Sequence, residues 1–495
     1  KEALDNLTDS VTGTLIKLQL KYMTPTKAMI QAFWSSLPLQ ENLLEEYTYK
    51  QSNTETASSM FPFDDSEILE LSPRSDVEGI NKDTDSLIAI DYLNKRTTLN
   101  QNMVVIGTSG VGKTTYMIQK ILKYVAKGIK VFIIDPENEY SDIVELLGGT
   151  VVHLSSNAKT KINPLEIFSD IISDDQNETD DIDIEEVIKD KITRVKGFCQ
   201  VLKPDMTQVE KALIDKVLRE TYRSSGILRY RSIHEIKSEQ YPTLSNFYDE
   251  IKKLETNDPK RFAKLEDFFY ILEGYVSGST TLFNGVTNIN LHTNLLSFDL
   301  KSLQNEPDVQ GACYLNTFSY LWDEITKNKT ENIKLIVDEF HFLTQNPDAS
   351  SFFFQAYKRF RKYNAGAIAG TQQLEDVLKA KTTDGTNLGQ AIVGNAFTKV
   401  FFGLDDMGVE DLSQRLKVRF SDKEQKLLKK KKQGEALIIH GSQRAFMKIT
   451  LTPEELYLID REQYEETYST GESINYEELI AMTPQEIEEA ENFIY

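Results

Sequence analysis

GTSGVGKT at residues 107–114 decides the fold class of this 495-residue chain. It matches G-x-x-x-x-G-K-[ST] at every fixed position, and it lies between an apolar run, MVVI at 103–106, and an amphipathic pattern over 115–128. Those flanks predict a buried strand before the loop and a helix after it. Converging backbone N–H groups and the positive end of the helix favour a bound phosphate there. The residues expected to hold the nucleotide are Gly107, Thr108, Ser109, Gly110, Val111, Gly112, Lys113, Thr114 and Thr115.

Apolar runs and helical patterns alternate on both sides of this loop. Alternation of this kind predicts an α/β fold with a mainly parallel sheet that is covered by helices on both faces. EALIIH (435–440) and RAFMKITL (444–451) are expected to close the sheet as an antiparallel pair. The other expected strands are LIAIDYL (87–93), VFIIDP (131–136), VVHLS (151–155), NLLSFDL (294–300), IKLIVDEF (333–340), AGAIAGTQ (365–372) and KVFFGL (399–404).

The alternation breaks between 169 and 290, where helical patterns occur without strands. A Thr207–Glu210 capping box begins one helix, and TLSNFYDEIKKLE after Pro242 predicts another. The acidic stretch 173–190 is expected to be a connector or an exposed helix start. The chain is therefore divided into a linker and remnant of a preceding domain (1–80), a first core part (81–168), an all-helical insertion (169–290), a second core part (291–451) and an acidic helical tail (452–495).

Composition excludes several classes of protein. The formal net charge of −21 disfavours general nucleic-acid binding, which depends on neutralising phosphates. No apolar run approaches the roughly 18 residues that a membrane-spanning helix needs. The two cysteines, Cys199 and Cys313, are far apart and suit a reducing cytoplasm better than a disulfide framework or zinc site.

LIVDE at 335–339 is expected to carry the chemistry, because it is a buried strand that ends in two carboxylates. In a phosphate-loop fold the first acid holds Mg²⁺ and the second orients the attacking water. Asp338 and Thr114 are therefore predicted to hold the metal, Glu339 to act as general base, and Lys113 to reach the β and γ phosphates. Taken alone, the stretch could also be a strand that ends at a charged loop.

Four further side chains are secondary candidates. Gln372, at the end of the next apolar run, is predicted to sense the γ-phosphate, and a plain polar strand end is the alternative. Arg361, within KRFRK at 358–362, is predicted to reach a neighbouring subunit's site as an arginine finger. Arg444 is a second candidate for that role, and either arginine could be a surface residue. Glu139 is a reserve candidate for the base, whereas His341 is expected to pack beside the carboxylates.

KVRFSDKEQKLLKKKKQGE at 417–435 is the strong positive cluster of the chain. A solvated helix end and loop is the simpler interpretation. Contact with DNA or with lipid headgroups is the alternative, although few aromatic residues are interleaved for base stacking.

Taken together, these segments resemble the largest ATPase of type IV secretion and conjugation systems, the VirB/TrbE-like conjugation motor. The resemblance rests on GTSGVGKT and on IDPENEY (134–140), followed by LGG (147–149) and KINPLEIF (161–168). LIVDEFHFL (335–343), the stretch 358–378 and the junction-like WSSLPL (34–39) before PF (62–63) complete it.

The resemblance implies a RecA-like P-loop core of the HerA/FtsK class with an inserted all-α subdomain. It also implies ATP and Mg²⁺ as cofactors, dimers or hexamers, and partners among secretion and conjugation proteins. Those partners would hold the chain at the inner face of the cell membrane, on its cytoplasmic side. Hydrolysis would power pilus biogenesis or the transfer of DNA or protein.

Two other functions stay open from the sequence. A DNA-pumping relative, either a coupling protein or a translocase of the FtsK/HerA class, would share the core and the segment around Gln372. A nucleotide-binding scaffold without turnover belongs to a different class, and it would not need the water-activating acid Glu339.

Overall fold

The computed structural model describes residues 2–17, 26–37, 67–156, 159–167, 184–230, 235–289, 293–327, 330–344, 347–372, 374–379, 387–415 and 418–468, with short pieces at 24 and 42–44. The expected linker, the Pro-Phe pair at 62–63, most of the acidic stretch 173–190 and the tail after 468 lie outside these ranges. The chain forms two compact units, 1–65 and 66–495. The first contains helices α1 (Glu2–Lys17) and α2 (Met29–Ser36).

An eleven-stranded sheet organises the second unit. Seven strands in the order β9-β3-β8-β7-β4-β6-β5 are parallel, and β10, β11, β1 and β2 extend the sheet beyond β9 with antiparallel pairings. This arrangement confirms the expected mainly parallel α/β fold and its closing antiparallel pair. The strands are β1 (Asp76–Asn81), β2 (Leu87–Ile90), β3 (Met103–Ile106), β4 (Lys130–Asp135), β5 (Thr150–His153), β6 (Leu295–Asp299), β7 (Ile333–Val337), β8 (Ala365–Thr371), β9 (Thr398–Phe401), β10 (Glu435–His440) and β11 (Gln443–Lys448).

The helices of the second unit connect and cover these strands. They are α3 (Lys113–Ala126), α4 (Ser141–Leu146), α5 (Ile184–Leu202), α6 (Gln208–Ser224), α7 (Leu244–Asn257), α8 (Pro259–Val276), α9 (Pro307–Lys327), α10 (Pro347–Arg359), α11 (Leu374–Lys379), α12 (Leu388–Asn395), α13 (Asp406–Gln414), α14 (Asp422–Lys429), α15 (Pro453–Ile459) and α16 (Arg461–Tyr468).

The described residues between β5 and β6 include four α-helices and no strand. Helices α5 to α8 lie there, and α6 begins with the expected capping box, in which the Thr207 hydroxyl accepts from the Glu210 N–H and the Glu210 carboxylate accepts from the Thr207 N–H. Because β5 and β6 are parallel neighbours, the chain leaves the sheet for this whole stretch and returns beside the strand that it left.

Two apolar layers sandwich the sheet, because successive strand side chains point to opposite faces. Val104 and Ile106 of β3 join a core with α5 to α10, whereas Met103 and Val105 join a second core with α3 and α4. All four side chains are at most 1% exposed. Burial on both faces explains why this strand is a continuous apolar run in the sequence.

Two boundaries differ from the sequence-based expectation. The helix after the phosphate loop begins at Lys113 rather than at 115. The sheet begins at Asp76 rather than after residue 81, because β1 pairs with both β2 and β11. Charged β1 is nevertheless buried: Glu78 is 0% exposed and forms a close ion pair with the equally buried Lys120 of α3.

Gly366 lies at a close crossing in the sheet and provides a stability test. A Cβ atom at this position in β8 would lie 2.4 Å from the backbone oxygen of Gln101. We expect Gly366→Ala to destabilise the protein by about 1–3 kcal/mol, because a buried backbone must move to accommodate the methyl group. Gly394→Ala in α12 is the matched control, because its Cβ would meet nothing within 4 Å. Thermal unfolding of both variants checks this; equal transition temperatures would contradict it.

Candidate nucleotide site

The phosphate loop (107–114) leaves β3 at the carboxyl edge of the parallel strands and runs directly into α3. Gly110 and Gly112 have positive φ angles of 78° and 98°, which side chains with a Cβ rarely adopt. At Gly107 a Cβ would lie 2.5 Å from the Cβ of Phe402, so the loop passes β9 with no room for a side chain. These glycines allow the tight curl that the motif predicts.

Lys113 lies between the two predicted carboxylates. Its Nζ is 2.9 Å from Asp338 Oδ1 and 2.8 Å from Glu339 Oε1. All three residues are at most 3% exposed. The carboxylates follow β7, and β8 separates β7 from β3 in the sheet. Gly370 of β8 allows the approach, since a Cβ there would lie 2.8 Å from Asp338 Oδ1.

Hydrogen bonds from neighbouring elements orient Asp338. The Tyr140 hydroxyl donates to Asp338 Oδ2 at 2.8 Å, and the Glu339 N–H donates to Oδ1 at 3.0 Å. The Tyr314 hydroxyl of α9 donates to the Asp338 backbone oxygen at 2.5 Å. One carboxylate oxygen is therefore shared between Lys113 and a backbone amide, and the other faces a phenol.

Glu339 is held from its other side. His341 Nδ1 lies 3.0 Å from Glu339 Oε2, and the Gln372 backbone N–H donates to the same oxygen at 3.2 Å. Glu339 has a φ angle of 45°, an uncommon backbone conformation for a residue other than glycine. The hydrogen bonds and the ion pair of both Glu339 carboxylate oxygens offset the cost of this backbone conformation.

These contacts shift the pKa of the central groups. Burial alone would raise the pKa of Glu339, but the hydrogen bond from His341 and the charge of Lys113 outweigh it and lower the pKa to about 2. Burial would lower the pKa of Lys113, whereas the adjacent Asp338 and Glu339 raise it above its ordinary value. Both effects favour the charged forms of Lys113 and Glu339 at neutral pH.

The loop after β4 brings a second group of carboxylates to the phosphate loop. The Thr114 hydroxyl donates to Glu139 Oε2 at 2.6 Å. Asp135 accepts the backbone N–H groups of Glu139 and Tyr140 at 3.0 and 2.9 Å, which holds the loop against the strand end. Burial raises the pKa of Asp135 to about 7. Glu139, the reserve candidate, therefore lies beside the predicted metal ligand Thr114.

The two candidate arginines lie at the amino ends of the parallel strands, whereas the candidate site lies at their carboxyl ends. Arg361 belongs to the 3₁₀ turn Phe360–Tyr363, just before β8, whereas the site lies after β8. Seven residues of strand separate the two edges by roughly 20 Å. Arg444 pairs with Ile439, beside the start of β9, and its Nε lies 3.3 Å from Glu424 Oε1. Among the described residues, no contact places Arg361 or Arg444 beside the two carboxylates of the same chain.

The basic stretch 417–435, of which 418–435 is described, lies closer to the site than the sequence suggested. Helix α14 and the turn after it lead into β10, and the Gly434 N–H donates to the Val111 carbonyl at 3.1 Å. The end of the basic stretch is therefore a neighbour of the phosphate loop rather than a distant surface.

Sequence reasoning missed the two tyrosines that hold Asp338. Tyr140 follows the expected strand end in IDPENEY, and this position was a usable signal. Tyr314 lies mid-helix in α9, in a run of buried side chains, and no spacing rule marks it. His341 was expected to pack, and its contact with Glu339 agrees with that interpretation.

A family model described as the TraG P-loop domain matches residues 82–491. The chain belongs to the TraG P-loop domain family. Membership confirms the resemblance drawn from the sequence and the P-loop fold class. Among curated proteins, this TraG-type chain is similar to the uncharacterized protein pXO2-09 of Bacillus anthracis, with 24% identity over 392 residues. That match covers 72% of this chain and 60% of the relative's length.

Solved structures give the same fold. VirB4 of Thermoanaerobacter pseudethanolicus matches with a TM-score of 0.68 and 27% identity, covering 79% of this chain and all of that one. The bacterial conjugative coupling protein TrwBdeltaN70, in complex with sulphate, matches with a TM-score of 0.53 and 13% identity over 78% of this chain and 90% of its own. The second likeness is evidence for the fold alone.

None of the described helices combines the length and the apolarity that crossing a bilayer requires. Nor do the described residues contain a group of three His, Cys, Asp or Glu side chains arranged to hold a metal ion.

Glu339 gives a pH-dependent contribution to stability that can be tested. Its folded pKa of about 2 lies below the ordinary value of about 4.3, so its contribution is present above pH 5 and is lost as the pH falls towards 2. We expect Glu339→Gln to lower the free energy of unfolding by up to about 3 kcal/mol at pH 7, and the deficit to shrink below pH 5. Urea denaturation between pH 7 and 3.5 measures it.

Glu137→Gln is the control, and it is expected to change the free energy of unfolding at neutral pH in the opposite direction. Burial and the neighbouring carboxylates raise the pKa of Glu137, so this variant should be more stable than the unsubstituted protein at neutral pH and equal to it below about pH 4. A deficit for Glu339→Gln that stays constant from pH 7 to pH 4 would contradict the assigned ion pairing.

Proposed function

We propose that this chain is an ATP-hydrolysing motor of a conjugative or type IV secretion system. The observation that carries the proposal is the buried cluster of Lys113, Asp338 and Glu339 at the end of the phosphate loop. A protein that only binds a nucleotide has no need of a buried carboxylate aligned beside the lysine that would meet the γ-phosphate. Membership of the TraG P-loop domain family and likeness to VirB4 support the assignment.

The residues present fit ATP and Mg²⁺. Open space around Gly110, together with its positive φ, provides a curled loop for phosphate oxygens, and α3 begins at Lys113. Thr114 and Asp338 would hold the metal, and Glu139 lies within reach of the same hydroxyl. Bound Mg²⁺ would neutralise charge on the β and γ oxygens. Few protein ligands suffice, because Mg²⁺ commonly keeps several waters and phosphate oxygens.

Lys113 and Glu339 exchange partners in the proposed cycle. Lys113 donates to both carboxylates, and a γ-phosphate competes for the same ammonium group. When Lys113 turns to the phosphate, Glu339 Oε1 becomes free to accept a proton from water. Losing that ion pair also raises the pKa of Glu339, which makes it a better base. His341 and the Gln372 N–H keep Oε2 in place meanwhile.

Gln372 and one arginine complete the proposed machinery. The backbone of Gln372 already contacts Glu339, so its amide side chain starts near the place of hydrolysis and would sense the γ-phosphate. Arg361 would act on a neighbouring subunit, since it lies at the opposite edge of its own sheet. Arg444 is the weaker candidate, because Glu424 already pairs with it.

The wider role follows from the family. Residues 76–168 and 291–451 would form the RecA-like core, 169–290 a helical insertion, and 452–495 an acidic tail. Copies of the chain would assemble as dimers or hexamers with other secretion or conjugation proteins, which would hold them at the inner, cytoplasmic face of the membrane. Hydrolysis would power pilus biogenesis or the transfer of DNA or protein.

Glu339→Gln tests the proposed hydrolysis. The amide is nearly the same shape but a very poor base, so we expect ATP to bind normally while kcat falls at least about 10²-fold. Steady-state phosphate release and ATP binding are measured over a range of protein concentrations. Glu137→Gln, nearby but outside the cluster, is the matched control and should hydrolyse normally. ATP binding without turnover by the unsubstituted protein at every concentration would contradict the motor and favour a scaffold.

A mixing experiment tests Arg361. Arg361→Ala and Lys113→Ala should each be inactive alone, with losses of about 10³-fold expected for an arginine finger. In a mixture, Lys113→Ala subunits supply the arginine to intact sites on Arg361→Ala subunits, so activity should reappear. Full activity of Arg361→Ala by itself would exclude the role, as would a mixture that stays inactive. The same mixture with Arg444→Ala compares the second candidate.

A further inference from the structure

The lysine-rich turn (429–432) forms one wall of the phosphate loop. It follows α14, and Lys431 has a φ angle of 48°, which folds the chain back towards β10. The Gly434 N–H then donates to the Val111 carbonyl at 3.1 Å. A Cβ on Gly112 would lie 3.3 Å from the same Gly434 nitrogen. The chain directly after the turn is therefore attached to the phosphate loop through the backbone of Gly434.

A second contact joins the turn to the start of the loop. The N–H and the hydroxyl of Thr108 both donate to the Gly403 carbonyl, at 3.1 and 3.0 Å. On its other side Gly403 meets Lys431 so closely that a Cβ at 403 would lie 2.4 Å from Lys431 Cα. Gly403, which has no side chain, therefore lies between Lys431 and Thr108 and contacts both.

The turn brings positive charge to this rim, and part of it acts on Asp406, because Lys429 and Lys431 lower the pKa of that carboxyl group. Lys429 pairs with Asp406 at 2.7 Å, and Lys432 pairs with Glu435 at 2.8 Å. Lys430 and Lys431 are exposed, and neither has an ion pair with the part of the chain that the structure describes. Two cations beside a predicted phosphate site suit an anionic ligand, and their long side chains can reach several ångströms from the backbone.

The order of the strands shows which end of a nucleotide they would meet. The carboxylates follow β7, on the β8 side of β3, and they mark the place of the γ-phosphate. Gly403 follows β9, on the other side of β3. The carboxylates and the lysine-rich turn therefore lie on opposite sides of β3, and a nucleotide that crosses the phosphate loop with its terminal phosphate at Lys113 would bring its inner phosphates to the turn.

We propose that Lys431, assisted by Lys430, binds the α- and β-phosphates of a nucleoside di- or triphosphate. The inference rests on the proposed function, because it concerns the same site. The lysines meet phosphates that are present before and after hydrolysis. They therefore strengthen binding of substrate and product alike and do not accelerate the cleavage of the terminal phosphate.

The test compares Lys430→Gln/Lys431→Gln with Lys426→Gln, an exposed lysine of α14 outside the turn. Binding of ATP and of ADP is measured by calorimetry at low and at high salt, and kcat and KM are measured separately. We expect the double variant to weaken both nucleotides about 5- to 30-fold at low salt, with a smaller loss at high salt because ions screen exposed charges. Its kcat should stay within about twofold, and Lys426→Gln should change neither quantity.

Three results would overturn the inference. Nucleotide affinities within about twofold of the unsubstituted protein would show that the turn is only solvated. A fall in kcat at unchanged affinity would place the turn in bond cleavage instead. Loss of single-stranded DNA binding with unchanged ATP binding would assign the lysines to DNA. The proposed function is tested by a different result: it is contradicted if the unsubstituted protein binds ATP without hydrolysing it. In that case the binding of ADP still tests the role of the two lysines.

Discussion

The ion pairing of Lys113 with Asp338 and Glu339 is the interaction on which the rest of this architecture depends. It joins residues that are 225 positions apart in the chain, and it does so where water is excluded. Removing one partner from a buried pair of this kind leaves an uncompensated charge and typically costs about 3–5 kcal/mol. The sheet order, the missing side chain at Gly370 and the hydroxyl of Tyr140 all keep the three groups together.

The same constraint explains where additional chain can be accommodated. Strands β3, β8 and β7 must stay adjacent for the lysine to meet the carboxylates, and additional chain is accommodated most easily in a connection away from these three strands. Helices α5 to α8 instead lie between β5 and β6, at the far edge of the parallel strands. The buried apolar side chains of these helices join the same core as Val104 and Ile106 of β3.

The sequence predicted the centre of the candidate site because those residues obey local rules. A glycine-rich loop needs only its own backbone, and an acid after an apolar run lies at a strand end wherever that strand is placed. The hydroxyls of Tyr140 and Tyr314 could not be inferred, since each bond depends on how distant segments pack. The lysine-rich turn was interpreted as a solvated end because proximity to the phosphate loop leaves no trace in spacing.

Strand β1 was missed for a different physical reason. Its sequence, DVEGIN, directs Asp76 and Glu78 into the protein, which opposes the usual link between burial and apolarity. Burial is tolerated because Lys120 of α3 is equally buried and contacts both carboxylates, and because Lys127, directly after α3, pairs with Asp76. The pattern over 115–128 predicted an amphipathic helix. The sequence alone, however, does not distinguish a lysine that is buried in an ion pair from a lysine that is exposed to solvent.

The two ends of the eleven-stranded sheet have a consequence for how copies of the chain can associate. Strand β5, at one end, has only four residues, and β2, at the other, is short and is bridged along its outer side by residues 68–70. Few backbone groups remain for a foreign strand to pair with, and such short or covered edges resist uncontrolled growth of a sheet between molecules. Association of several copies would therefore proceed through side-chain surfaces and not through a shared hydrogen-bonded sheet.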